Sequence, residues 1–91
     1  MASESNYYHK LYIAQSPAGL HKIGCSRTPK RRTQELANAL GCDVALMHTR
    51  VIKRDGMRRE AAVHRKLAEF NVFGEWFAVS LEQARAAVRS A

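Results

Sequence analysis

Glu60 and His64 stand four residues apart in a stretch spaced like a helix. On a wheel at about 100° per residue, its apolar arc holds Met57, Ala61, Val63, Leu67, Ala68 and Phe70. Glu60 falls in the middle of that arc and His64 beside it, whereas Arg58, Arg65 and Glu69 lie opposite. A carboxylate facing inward is costly unless it meets a cation, a metal or several donors. A metal site, a core salt bridge to an arginine and a local Glu60–His64 pair all meet that need. An earlier helical pattern, with Pro29, Leu36, Ala37 and Leu40 on its apolar arc, places Arg32 at the border of the arc. Arg32 is thereby expected to reach an interior cleft, while Lys30 and Arg31 face solvent or a phosphate backbone. Tyr12 and Lys22 complete the set as a phenol and a cation on neighbouring strands.

Those strands are residues 8–15 (YHKLYIAQ) and 20–25 (LHKIGC), joined by Ser16-Pro17-Ala18-Gly19. Pro17 suits the first corner of a type I turn and Gly19 a left-handed residue, which is the three-residue hairpin loop with a bulge. In that register Ser16 opposes Leu20, Ile13 opposes Ile23 and Leu11 opposes Cys25. On the other face Tyr12 opposes Gly24 and Ala14 opposes Lys22. Tyr12 and Lys22 are then diagonal neighbours, roughly 7–8 Å apart in backbone position. Gly24 is expected to leave open space opposite the phenol. Half-buried packing of Tyr12 and a substrate-accepting space satisfy this spacing equally.

Thr28-Pro29 reads as N-cap and first residue of a helix that runs to about Leu40 and stops at Gly41. Residues 44–52 form a third strand, and Asp55 or Gly56 opens a second helix reaching about Phe70. Residues 74–79 are a short extended piece, and Ser80-Leu81-Glu82-Gln83 matches a capping box before a last helix. The expected fold is α/β, a small three-stranded antiparallel sheet flanked by helices in the order β-β-α-β-α-α. Residues 1–7 are an N-terminal tail and 8–91 a single domain.

The balance of 46% apolar and 25% charged residues is that of a globular chain. No apolar run approaches the roughly 20 residues of a membrane span, and none near the start suggests a secretory signal. Cys25 and Cys42 lack the spacing of a disulfide framework or zinc knuckle, and both are expected as small buried hydrophobes. A cytoplasmic setting is the simplest expectation. Lys and Arg number 15 against 8 Asp and Glu, a net charge of +7. The surplus lies within residues 27–66, where Arg27, Lys30, Arg31, Arg50, Lys53, Arg54 and Arg58 are the expected nucleic-acid contacts. An ordinary solvated basic face is the alternative.

Lys10-Leu11-Tyr12, Lys22-Ile23-Gly24, Arg32 eight residues after that glycine, and a helical Glu60 together resemble the GIY-YIG nuclease superfamily. Glu60-Ala-Ala-Val-His64 followed by Gly74-Glu75-Trp76-Phe77 resembles its phage and bacterial branch, whose second motif carries Lys-Ile-Gly. The resemblance spans about residues 8 to 80. It departs from the superfamily pattern at Lys10, which replaces a glycine, and at Lys22, which replaces a tyrosine. No residue clearly matches the late asparagine, and Asn71 is given no role.

The resemblance implies metal-dependent hydrolysis of a phosphodiester. Tyr12 would position or deprotonate the attacking water, Arg32 would contact the scissile phosphate, and Glu60 would hold one divalent metal, magnesium or manganese. Lys22 would bind phosphate or lower the Tyr12 pKa. His64 is either a proton shuttle or a core histidine bonded to Glu60. Trp76 and Phe77 are expected in the core, and Glu75 paired with an arginine of the basic stretch. The expected function is a DNA endonuclease of low sequence specificity, with RNA an open second substrate. Its setting is a homodimer or a larger phage or bacterial assembly. A catalytically silent nucleic-acid-binding or adaptor module on the same fold is the competing expectation.

Overall fold

A computed structural model describes residues 7–91. The expected tail, residues 1–7, lies outside the described residues apart from Tyr7, which is exposed.

β1 (His9–Gln15) and β2 (His21–Ser26) form the expected hairpin, with Tyr12 opposite Gly24, Ile13 opposite Ile23 and Ala14 opposite Lys22. Gly19 has φ 87°, and its N–H donates to the Ser16 carbonyl at 3.0 Å, so the turn chemistry fixes the register. α1 (Pro29–Leu40) begins after Thr28, which contributes no side-chain cap, and ends at Gly41 with φ 69°. β3 (Ala45–Ile52) pairs with β1, with an irregularity between Ile13 and Ala14.

α2 (Gly56–Lys66) stops before the expected Phe70, and a single 3-10 turn, Ala68–Phe70, redirects the chain. β4 (Asn71–Phe73) and β5 (Trp76–Phe77) then form a tight hairpin. Gly74, at φ 51°, turns it, and Asn71 Nδ2 braces it by donating to the carbonyls of Gly74 and Trp76. The sheet therefore has five antiparallel strands in the order β3-β1-β2-β5-β4, correcting the expected three. β5 falls within the expected extended piece 74–79, whereas β4, three residues long, is too short for side-chain alternation to announce it. α3 (Leu81–Arg89) follows the expected capping box: Gln83 N–H donates to Ser80 Oγ at 3.0 Å, and Ser80 N–H to Gln83 Oε1 at 2.9 Å.

The two faces of the sheet are built differently. Leu11, Ile13 and Ile23 turn to one face and join Val63 and Leu67 of α2, Phe77, and Ala84, Ala87 and Val88 of α3 in the core. The expected arc of α2 is shifted: Met57 is 76% exposed, and Ala61 and Ala68 are also exposed. Its inward side centres on Val63 and Leu67, with Glu60 and His64 half-buried at its margin. Tyr12 and Ala14 face the other way and are buried too. No helix among the described residues is long and apolar enough to cross a membrane.

Gly24 leaves no open space opposite Tyr12, contrary to expectation. A Cβ at position 24 would lie 2.4 Å from Tyr12 Cζ and 2.5 Å from its hydroxyl oxygen, so the ring rests on the glycine backbone. Gly24→Ala is expected to force the ring from its seat and cost about 1–3 kcal/mol, the usual penalty of overpacking. Urea denaturation at equilibrium checks this; an unchanged midpoint would show that the ring has somewhere else to go.

Candidate active site

β5 is only two residues long, and its brevity creates the site. His21 and Lys22 pair with Phe77 and Trp76, and Ile23 N–H still reaches the Glu75 carbonyl at 3.2 Å. Beyond that point β2 has no strand on this side. Backbone groups left unpaired in a protein interior are costly, so side chains must take over. His64 Nε2 lies 2.9 Å from the Ile23 carbonyl and donates to it, and the Cys25 N–H donates to the Glu60 carboxylate. Residues one turn apart on α2 thus engage residues two apart on β2. This explains why a carboxylate sits on the inner side of the helix. Among the described residues Glu60 has neither of the two partners the sequence offered it, a buried arginine or a hydrogen-bonded His64.

Glu75, read from sequence as the partner of an arginine, pairs instead with Lys22. It also completes a cluster: Glu60, His64 and Glu75 each offer a ligand atom, all within 4.8 Å of one another. Burial, and then the negative charge of Glu75, raise the Glu60 pKa above the usual carboxylate range. His64, Lys22 and the Cys25 N–H oppose that rise without cancelling it. Two carboxylates and an imidazole so close together are a donor set for a hard or borderline divalent cation. His64 Nε2 is committed to Ile23, which leaves Nδ1 with the free lone pair.

Tyr12 comes from the adjacent strand. Lys22 Nζ lies 6.0 Å from its ring centroid, and the charges of Lys22, Arg32, Glu75 and Glu60 are all felt at its hydroxyl. Lys22 lowers the Tyr12 pKa, as expected, and Arg32 does too, but burial outweighs both cations and leaves it raised. The residue is only 2% exposed, yet no buried polar side-chain atom among the described residues lacks a partner. No described residue hydrogen-bonds the phenol oxygen, so that oxygen keeps a small solvent contact. Arg32, expected to reach an interior cleft, is instead exposed on α1 like Lys30 and Arg31; it makes no side-chain hydrogen bond or ion pair among the described residues, and its charge reaches Tyr12. The structure thus brings Tyr12, Lys22, Arg32, Glu60 and His64 to one neighbourhood and adds Glu75.

The seven expected nucleic-acid contacts divide. Arg27, Lys30, Lys53, Arg54 and Arg58 are exposed. Arg31 is exposed too, in an i,i+4 pair with Glu35 at 3.2 Å. Arg50 is turned to the end of α3, where Nη1 donates to the carbonyls of Val88 at 2.6 Å, Ala91 at 3.0 Å and Arg89 at 3.1 Å. Its place in the basic stretch made it look like part of the basic surface, but the carbonyls at the end of α3 claim it. Cys25 is half-buried beneath Gly56 and Cys42 is exposed, so neither is the fully buried hydrophobe expected.

A family model described as the T5orf172 domain matches residues 8–91. No curated protein and no solved structure matches the chain. The family match corrects the resemblance to the GIY-YIG superfamily, for which no match is found. The departures at Lys10, at Lys22 and at the missing asparagine belong to that correction: Lys22 is the ion-pair partner of Glu75, and Asn71 braces a hairpin.

The raised Glu60 pKa gives a pH signature. Its carboxyl holds a proton more tightly in the folded than in the unfolded state, so ionised Glu60 costs stability once the pH exceeds both values. That cost disappears as the pH falls through the folded value to the ordinary carboxylate range. Glu60→Gln, which keeps an acceptor for the Cys25 N–H, is therefore expected to raise the Tm at pH 7 in chelator. The gain should shrink steadily toward about pH 4. Thermal unfolding across that range tests it, and a gain that grows as the pH falls would contradict the assignment.

Proposed function

The chain belongs to the T5orf172 domain family, and from this membership and the cluster around Glu60 we propose that it is a metal-dependent DNA endonuclease. The observation that carries the reading is convergence. A phenol, an uncommitted guanidinium whose charge reaches it, and a three-donor cluster come together from β1, α1, α2 and the β4–β5 turn. The nuclease-like, DNA-binding character of T5orf172 domains is compatible with it.

Phosphodiester hydrolysis requires an aligned water, a clamp on the phosphate charge and stabilisation of the departing alkoxide. Glu60, Glu75 and His64 would hold magnesium or manganese, which supplies Lewis-acid stabilisation of charge on phosphate and leaving-group oxygens. The imidazole favours manganese somewhat over magnesium. Arg32 presents a planar fork to the non-bridging oxygens. Tyr12, kept protonated by burial in the free protein, orients water through its hydroxyl. The phosphate clamp and the nearby cations favour its ionised form only as substrate arrives. Lys22 holds Glu75 in place and adds positive charge beside the phenol. Contacts through phosphate-directed bases carry no sequence information, so cleavage is expected to be weakly specific.

Supercoiled plasmid is expected to be nicked with manganese or magnesium and untouched in chelator. Glu60→Gln and Arg32→Ala should each reduce nicking by about a hundredfold or more, the scale of losing one charge-stabilising group. Tyr12→Phe should also slow it while leaving DNA binding intact, measured by gel shift in chelator. DNA binding with no cleavage in either metal would favour the silent binding module.

A further inference from the structure

At the opposite end of α2 from His64, the start of the helix and the β3–α2 loop border a cleft of about 270 Å³. Tyr7 and Tyr8 line it, in edge-on contact with ring centroids 4.8 Å apart. Tyr7 is 74% exposed and Tyr8 37%. Lys53 Nζ sits 5.9 Å from the Tyr8 ring centroid, and Arg27 and Arg54 stand on the rim, with Asp55 the one acid among the lining residues. Two large exposed aromatic rings are not explained by the core, which they do not enter. Beside three cations in a concavity they have the composition of a site for one ligand class. An unpaired base stacks on an aromatic face, and its backbone phosphate meets lysine and arginine. A blunt duplex, whose bases are stacked on one another, uses the cations but not the rings.

The cleft is connected to the candidate active site by the helix itself. Gly56 lines the cleft and Glu60 lies four residues on, about 6 Å of helical rise away. Gly56 is also packed so tightly that a Cβ would lie 2.9 Å from Cys25 Sγ, and Cys25 gives its N–H to Glu60. The cleft and the carboxylate thus lie within about one helical turn of each other along α2.

We propose that this cleft is a subsite for an unpaired nucleotide, so that the preferred substrate is nucleic acid with a single-stranded end, flap or gap. This deepens the nuclease reading and rests on nucleic acid being the ligand; DNA and RNA present the same stacking face and phosphate. The test uses fluorescence polarisation in chelator, where no cleavage occurs. The probes are a labelled blunt hairpin duplex, the same hairpin with a short single-stranded extension, and an oligothymidylate or oligouridylate of equal charge.

The extended hairpin and the single strands are expected to bind more tightly than the blunt hairpin. Tyr8→Ala should weaken the extended probe by about tenfold while changing the blunt one less than twofold. Tyr8→Phe, which keeps the ring, should restore binding, and thermal unfolding of both variants separates lost stacking from lost fold. Lys53→Gln should weaken all probes and flatten the salt dependence of binding. Equal loss on blunt and extended probes, or no preference for the extension in the unmutated protein, would overturn the subsite. A preference that persists in a protein that never cuts would retain the subsite and remove the nuclease.

Discussion

The site depends on an unfinished sheet edge. β2 continues past the point where β5 ends, and backbone groups in an interior must still find partners. Glu60 and His64 supply them, and the fit works because a helical turn of α2 spans two residues of β2. The same hydrogen bonds that satisfy the strand hold a carboxylate and an imidazole at the margin of the core. Glu75 reaches them because it sits in the turn that brings β5 alongside. Structural need and chemical capacity therefore reside in the same atoms. The inward carboxylate that stood out in the sequence reflects this coupling: it satisfies the strand edge and lies next to a second carboxylate.

How far the sequence could be read follows from the range of the interactions involved. The β1–β2 register was legible because its determinants, Pro17 and Gly19, lie between the paired strands. The capping box of α3 was legible for the same reason: Ser80 and Gln83 are three residues apart. Glu75 was not. Its place beside Lys22 requires a pairing across more than fifty residues, through a two-residue strand with too few positions to show alternation. The helical wheel of α2 placed Glu60 inward correctly but buried Met57 and Ala61 as well, because apolarity alone does not reveal where the neighbouring elements lie. The motif order was close enough to suggest a nuclease superfamily, yet the matching family is the T5orf172 domain.

Charge shows the same division between local pattern and tertiary use. The basic middle stretch suggested one polyanion footprint, but the fold sorts its members. Lys30, Lys53, Arg54 and Arg58 are exposed, and Arg50, Arg59 and the likewise exposed Lys66 donate to backbone carbonyls near the end of α3. The net charge of +7 is unchanged by these contacts, but fewer of its donors are free to bond an approaching phosphate.

The Arg59 contact has a mechanical consequence. Its side chain bridges from the residue preceding Glu60 to the Ala91 backbone oxygen at 3.1 Å, where Arg50 also donates. The last helix is thereby tethered to the one that positions the carboxylate. Loosening α3 from the sheet would relax the alignment of Glu60 from the rear, without disturbing any atom on the face that meets solvent.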